Sequence, residues 1–110
     1  MKKKHYQVYW SESAQFDLET IIDYIAAESM NNARKVFGQI KESCTKLESF
    51  PEIGKVPVEL SEISIDSYRE IIVSVWRILY RVNAENEDIL AVIDSRRDID
   101  DILLTRLLNR

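Results

Sequence analysis

The sequence predicts an α+β domain in which a helical hairpin packs on one sheet. Three observations predict it: alternating apolar residues near the start, two successive segments with helical apolar spacing, and a second half rich in β-forming apolar residues. The predicted order is an N-terminal strand, an antiparallel helical hairpin, a three-stranded antiparallel meander and a short C-terminal helix. The chain has 110 residues, of which 45% are hydrophobic. We therefore expect residues 1–110 to form one domain with one core.

The first half of the chain predicts one strand and two helices. Alternation at Tyr6, Val8 and Trp10 is typical of a short strand. Ser11 and Ser13 offer N-cap oxygens to a first helix that ends near Ser29. The apolar stripe of the first helix comprises Ala14, Leu18, Ile21, Ile22 and Ile25. Asn31-Asn32 is the predicted start of a second helix, whose apolar stripe comprises Ala33, Val36, Phe37, Ile40, Cys44 and Leu47. Because few residues separate the two helices, we expect an antiparallel hairpin. FPEIG (residues 50–54) stops the second helix, and a polar loop, KVPVELSEISIDS, follows.

The segment YREIIVSVWRILYRV, residues 68–82, is too long for one strand of a small domain. Fully extended it would span roughly 50 Å, whereas a domain of this size has a radius of gyration of about 13 Å. Its apolar residues also change from odd numbers (Ile71, Val73) to even numbers (Ile78, Tyr80), which requires a turn or bulge between them. We predict a turn at Ser74 to Arg77, with strands at 68–74 and 77–84.

The last part of the chain predicts a central strand and a short helix. Residues 89–93, ILAVI, are apolar at every position, which is typical of a strand covered on both faces. After SRRD the apolar residues are Ile99, Ile102, Leu103, Leu104, Leu107 and Leu108. This wide apolar face is expected either to bind a partner or to dock on the protein's own core.

The composition excludes several classes of protein. One cysteine, Cys44, and one histidine, His5, do not suffice for a disulfide or a Cys/His metal site within one chain. No apolar stretch is long enough to span a membrane, and the start lacks the apolar core of a secretory signal. The formal net charge of −4 argues against a surface broadly adapted to nucleic acid. We expect a cytoplasmic protein without a cofactor, a metal or a membrane partner.

Four segments, taken in order, resemble a known family. SAQFDLETIIDYIA, FPEIG, YREIIVSVWRILYRV and ILAVIDSRRD are similar to the RelE/ParE superfamily, the toxins of type II toxin–antitoxin (plasmid stabilisation) modules. The resemblance runs from about residue 6 to residue 98. It implies two helices packed on an antiparallel sheet, and a small cognate antitoxin that wraps the toxin in a hetero-oligomer and blocks its action. It also implies one of two activities: RelE-like members cut mRNA in the ribosomal A site, and ParE-like members inhibit DNA gyrase.

For the RelE-like activity, the resemblance implies four basic candidates: Lys55, Arg69, Arg77 and Arg81. RNA cleavage needs an acid or base at the reacting oxygens and positive groups around the phosphate. RelE-like members place a tyrosine or histidine after the last strand, whereas SRRDIDDILLTRLLNR contains neither. We therefore favour a ParE-like binding inhibitor of gyrase that is not an enzyme. The alternatives are a ribosome-dependent endoribonuclease and an inactive or solitary interaction domain.

For a binding protein, the candidate contact residues are Trp76, Arg96, Arg97, Ile102, Leu103 and Leu107. Trp76 is predicted near a hairpin tip, where a large aromatic side chain either packs on a neighbouring element or contacts a partner. Each arginine also has an ordinary structural explanation. Arg77 and Arg81 fit the polar face of a half-buried strand, and Arg96 and Arg97 fit surface ion pairs with the neighbouring aspartates.

Overall fold

The structure, a computed structural model, describes residues 5–96, 102, 105 and 106. Strand β1, Gln7–Trp10, is followed by helix α1, Glu12–Glu28, and helix α2, Met30–Lys46. The Ser11 hydroxyl caps α1 by accepting the N–H of Ala14 at 3.0 Å, and Glu12 lies in the first turn, where the helix dipole favours a negative charge. The predicted strand and first helix are confirmed.

One residue, Ser29, both ends α1 and begins α2. Its extended backbone interrupts the helix, its N–H donates to the carbonyl of Ile25, and its hydroxyl accepts the N–H of Asn32 at 3.2 Å. The predicted start signal at Asn31-Asn32 was therefore two residues late, because these asparagines lie in the first turn of α2 and not at its cap. A single-residue connection of this kind fixes the two helices as neighbours.

The segment predicted as a polar loop contains a short helix. Helix α3, Val58–Ser61, begins after Pro57 and buries Leu60, while Val58 and Ser61 are exposed. Proline suits such a start because it fixes its own φ and lacks an N–H that would need a partner. Four residues are too few for helical periodicity to appear in a sequence, so the prediction of a loop was wrong here.

The four strands form one sheet in the order β1-β4-β3-β2. Strands β2 (Tyr68–Val73), β3 (Trp76–Val82) and β4 (Asn86–Asp94) form the predicted antiparallel meander. Strand β1 pairs with β4 in parallel, so the sheet as a whole is mixed. A parallel pair needs a crossover connection, and here α1 and α2 follow β1 before the chain enters the meander. Strand β2 therefore runs in the same direction as β1, and β4, two antiparallel steps later, does so too.

The turn between β2 and β3 consists of Ser74 and Val75, with Val73 paired to Trp76 across it. Ser74 adopts a φ of 58°, in the left-handed region. A positive φ at the first of two loop residues is the geometry of a type II′ hairpin turn, which usually has glycine at that place. The predicted turn is thus confirmed within one residue. The change of parity has the predicted cause, because Ile71 and Ile78 both pack on the side of the helices.

Strand β4 lies between β1 and β3, as its unbroken apolar sequence predicts. It separates two clusters of buried side chains. The helix-side core joins α1 and α2 to the sheet and comprises Ala14, Leu18, Ile40, Cys44, Leu47, Ile78, Tyr80, Ile89 and Val92. The second core lies on the other face and comprises Leu60, Tyr68, Leu79, Ala91 and Ile93. A β-bulge at Leu90, between the pairs Leu79–Ala91 and Tyr80–Ile89, changes the alternation of β4 between the two cores.

Candidate partner-binding site

The FPEIG loop is fixed to the sheet by Tyr80. The Tyr80 hydroxyl donates to the carbonyl of Pro51 at 2.8 Å and accepts the N–H of Gly54 at 3.0 Å. Burial raises the pKa of Tyr80, so the hydroxyl stays protonated and keeps donating at neutral pH. A Cβ at Gly54 would lie 2.6 Å from the carbonyl oxygen of Glu70, so the chain approaches the sheet here only because residue 54 is glycine. This motif therefore positions the loop that carries the first basic candidate.

Lys55 and Arg69 lie side by side where this loop meets β2. The backbone of Lys55 pairs with Glu70 in an isolated antiparallel bridge, while its side chain is exposed. The Arg69 guanidinium donates to the carbonyl of Gly54 at 2.7 Å. Arg69 therefore has a structural role in this protein, because it holds the same loop that Tyr80 holds.

Arg77 is buried and forms a cluster of ion pairs with two glutamates. Its guanidinium donates to Glu70 at 2.5 and 2.9 Å and to Glu59 of α3 at 2.7 and 2.9 Å. Only 9% of Arg77 and 3% of Glu70 are exposed. The hydrogen bonds from Arg77 lower the pKa of Glu59, and those to Glu59 and Glu70 raise the pKa of Arg77. The expectation that Arg77 lies on the polar face of a half-buried strand was wrong, because α3 covers that face and supplies one of the carboxylates.

The arginines of the hairpin do not form one row. Arg69 pairs across the strands with Tyr80 and shares its helix-side face, whereas Arg81 pairs with Tyr68 of the second core. The Arg81 guanidinium lies 3.7 Å from the Asp88 carboxylate, and its buried Nε has no hydrogen-bond partner among the residues that the structure describes. Arg69 and Arg77 thus extend from opposite faces of the sheet.

Trp76 lines a groove between α1 and the end of the sheet where β3 begins and β4 ends, which we call the Trp76 groove. It has a volume of about 300 Å³. Its apolar lining comprises Phe16, Ile21, Trp76, Val92, Ile93 and Ile102. Trp76 is half-buried against the helix-side core, and Phe16 of α1 is 68% exposed. Two residues predicted from the sequence as partner contacts, Trp76 and Ile102, therefore line one groove.

The polar part of this groove is an ion pair between α1 and the C-terminal segment. The Arg106 guanidinium makes two hydrogen bonds of 2.8 Å to the Asp17 carboxylate and a third of 2.8 Å to the carbonyl of Leu90. Asp17 also accepts the N–H of Val92 at 3.0 Å. These side chains form hydrogen bonds with the backbone of Leu90 and Val92, which lie beyond the last residue of β4 that pairs with β1. Neither residue was predicted from the sequence as part of a site, although Asp17 is spaced by three and four residues from Ala14 and Ile21 of the buried stripe.

The remaining predicted contact residues belong to the C-terminal part of the chain. The described residues there, Ile102, Thr105 and Arg106, are helical, and Ile102 packs against the second core. The side chain of Arg96 is 82% exposed and pairs with Asp94, at the rim of the Trp76 groove, through bonds of 2.5 and 2.9 Å. The predicted contacts Arg97, Leu103 and Leu107 lie outside the described residues.

A second groove, of about 400 Å³, runs between α1 and α2. Its floor includes Trp10 and Leu18, and Phe37, predicted as part of the buried stripe of α2, is 43% exposed at its side. The Lys41 ammonium lies 4.9 Å from the ring centre of Trp10 and 5.8 Å from that of Phe37, which is the geometry of a cation–π contact. The spacing of Phe37 and Lys41 by one helical turn was the only sequence signal for this arrangement.

Neither a metal centre nor a membrane span is present in the part of the chain that the structure describes. No three His, Cys, Asp or Glu side chains converge there as a set of metal ligands. None of the helices in that part is long and apolar enough to cross a membrane. Burial raises the pKa of Cys44 to about 12, so this thiol behaves as a core side chain and not as a nucleophile.

The fold and the site define a small α+β protein with the RelE/ParE arrangement of strand, helical hairpin and meander. The family model described as ParE toxin of type II toxin-antitoxin system, parDE, matches residues 8–99. The chain belongs to this family and is the toxin component of a type II toxin–antitoxin system.

Two solved structures have a similar fold. The chromosomal ParDE toxin–antitoxin system from P. aeruginosa matches with a TM-score of 0.65 and 22% identity, covering 82% of this chain and 96% of that chain. The RelBE2 toxin–antitoxin complex from Mycobacterium tuberculosis matches with a TM-score of 0.57 and 20% identity, covering 84% of this chain and 94% of that chain. A search of curated protein sequences gave no significant match.

Proposed function

We propose that this toxin inhibits DNA gyrase by binding to it, and that a cognate antitoxin neutralises the toxin in a hetero-oligomeric complex. Membership of the ParE family supports the gyrase target, because the ParE-like branch of the superfamily is the one associated with gyrase. The antitoxin partner is supported by the two similar structures, which are a ParDE system and a RelBE2 toxin–antitoxin complex.

The observation that carries the proposal of a binding mechanism is the engagement of Arg77 with Glu59 and Glu70. Phosphate chemistry requires cations that are aimed at the reacting phosphate and free to stabilise its developing charge. To reach a phosphate, Arg77 would have to leave two carboxylates, one of them almost completely buried, without a partner. Arg69 would likewise have to release the carbonyl of Gly54. These arginines support the fold, and the activity is assigned to a surface.

The surface that we assign to the antitoxin is the Trp76 groove. Aromatic side chains that line a concave apolar surface are typical of residues that contribute most to binding. Phe16 presents a largely exposed ring at this groove, and Trp76 and Ile102 extend the apolar lining across the sheet. An exposed aromatic ring is unfavourable in water, and contact with a partner would remove its apolar surface from water.

The purified toxin should be assayed in two reactions. We expect loss of supercoiling by gyrase and intact mRNA in a cell-free translation reaction analysed by primer extension. Addition of the protein encoded by the neighbouring reading frame, as the candidate antitoxin, should restore supercoiling. Cleavage of mRNA at A-site codons with unaffected supercoiling would replace this proposal by the RelE-like mechanism. Absence of both effects, together with no complex formed by the neighbouring protein, would make the chain a solitary interaction domain.

A further inference from the structure

Glu87 is a buried carboxylate in the helix-side part of the sheet. Its cross-strand neighbours are Val8 on β1 and Val82 on β3, and both valines pack against the helix-side core. Glu87 is 0% exposed, and neither of its carboxylate oxygens has a hydrogen-bond partner among the described residues. An ionised carboxylate is strongly unfavourable in such surroundings, whereas a protonated carboxyl group is tolerated far better.

Among the residues that the structure describes, the groups that face Glu87 offer it no positive charge. From α2 and the turn that follows it, the Cys44 thiol and the Glu48 carboxylate interact with it electrostatically, and the Tyr80 hydroxyl does so from β3. Strand β1 contributes Val8, and α1 keeps its Asp17 paired with Arg106. Lys41 acts on Cys44, and its ammonium lies over the ring of Trp10. Burial raises the pKa of Glu87 to about 7, and repulsion by Glu48 adds to this rise.

We infer that Glu87 is a proton-controlled latch between β4 and the C-terminal end of α2. The latch is closed when the carboxyl group is protonated, because a neutral group is compatible with the core. When the group ionises it requires water, and water reaches it when the segment from Cys44 to Glu48 moves away from β4. That segment is held by the burial of Cys44 and Leu47 and by a 2.8 Å hydrogen bond from the N–H of Tyr6 to the carbonyl of Glu48.

The direction of the pH effect follows from proton linkage. In the open form Glu87 meets water and titrates near its ordinary value of 4.5, whereas in the closed form it titrates at about 7. Between these values the closed form binds more protons, so rising pH favours opening by about tenfold per pH unit. The latch is therefore fully closed below the lower value, and it reaches its weakest state above the higher one.

Cys44 provides a reporter for this opening, because it is the only cysteine in the sequence and is buried beside the latch. The rate of its reaction with 4,4′-dithiodipyridine should be compared between the wild-type protein and Glu87→Gln. The ratio of the two rates cancels the part of the thiol's pH dependence that the two proteins share. We expect this ratio to rise on the order of a hundredfold from about pH 5 to about pH 8, since only the wild type has a group to ionise. A ratio that stays constant with pH would overturn the inference.

Glu85→Gln is the matched control, because Glu85 is an exposed acid in the turn just before Glu87. It should leave the thiol reaction of the wild type unchanged, and an effect as large as that of Glu87→Gln would refute the latch. If Glu87→Gln does not fold, as judged by circular dichroism, Glu48→Gln is the second variant. Removal of the repelling carboxylate lowers the pKa of Glu87 in the closed form, so the rise of Cys44 exposure with pH should be smaller and should level off at a lower pH than in the wild type. A profile identical to that of the wild type would contradict the inference. These outcomes do not depend on which target the toxin binds.

Discussion

The hydroxyl of Tyr80 lies 3.0 Å from the backbone nitrogen of Gly54, and this contact joins the middle of the sheet to the loop after α2. The same hydroxyl donates to the carbonyl of Pro51, so one side chain holds both ends of a short loop. Arg69 adds a third bond at the carbonyl of Gly54. These three hydrogen bonds fix the loop in place, although it contains no helix or strand.

Gly54→Ala is expected to destabilise the protein by at least about 2 kcal/mol, because a methyl group has no room against the backbone of Glu70 and the ring of Tyr80. The matched control is Gly38→Ala, since a Cβ at Gly38 in the middle of α2 meets nothing within 4 Å. That change should stabilise the protein by about 0.5–1 kcal/mol through helix propensity. Denaturant unfolding measures both, and equal effects of the two substitutions would contradict the assignment.

Arg77→Met is expected to destabilise the protein by about 3 kcal/mol or more, because it leaves the buried Glu70 carboxylate without a counter-ion. The double variant Arg77→Met with Glu70→Gln should recover part of this loss, as it removes the uncompensated charge. Arg96→Met is the surface control, and little change is expected from this exposed pair. If Arg77→Met unfolds with the same free energy as the wild type, the ion cluster does not support the fold.

The pairing of Glu59 with Arg77 predicts a loss of stability in acid. The pKa of Glu59 is lowered from 4.5, first by the hydrogen bonds from Arg77 and also by the charge of Lys55. A lowered carboxyl pKa contributes stability above the unfolded value, and this contribution is lost as the pH falls below it. Glu59→Gln should therefore flatten the dependence of the unfolding free energy on pH below about 4.5. A steep acid dependence that survives in Glu59→Gln would assign it to other carboxylates.

Phe16→Ala tests the Trp76 groove. We expect it to weaken binding of the antitoxin by on the order of tenfold or more, because it removes an aromatic ring from the proposed contact. Tyr9→Ala is the control, since Tyr9 is a similarly exposed aromatic residue of β1 that does not line the groove. Isothermal titration calorimetry with the neighbouring gene product measures both affinities. Equal affinity of the two variants for the antitoxin would move the proposed contact away from this groove.

The periodicity of apolar residues was sufficient to predict most of the fold. The stripes of the two helices, the parity change around Ser74 and the unbroken apolar run of β4 each report burial at positions close in sequence, and burial repeats with the geometry of the element. Helix α3 escaped because it has one buried residue, Leu60. The parallel pairing of β1 also escaped, because side-chain alternation does not record the direction of the neighbouring strand.

The site was less accessible from the sequence, because its contacts join residues that are distant along the chain. Trp76 and Ile102 were found as unusual apolar residues, but the pairing of Asp17 with Arg106 spans most of the chain and has no periodic signal. The arginines of the hairpin were recognised as unusual, and their partners were not. Glu59 lay in a segment predicted as a loop, and Glu70 had the appearance of an ordinary polar strand residue.

The parallel contact between β1 and β4 has a consequence for synthesis. Gln7 can pair with Asn86 only after residue 86 has been synthesised. The sheet is therefore still incomplete when the ribosome has translated α1, α2 and the β2–β3 hairpin. Contacts so distant in sequence are among the last that a folding chain gains. A prematurely ended translation product therefore lacks the strand that joins β1 to the rest. Such a truncated product is therefore expected not to be toxic.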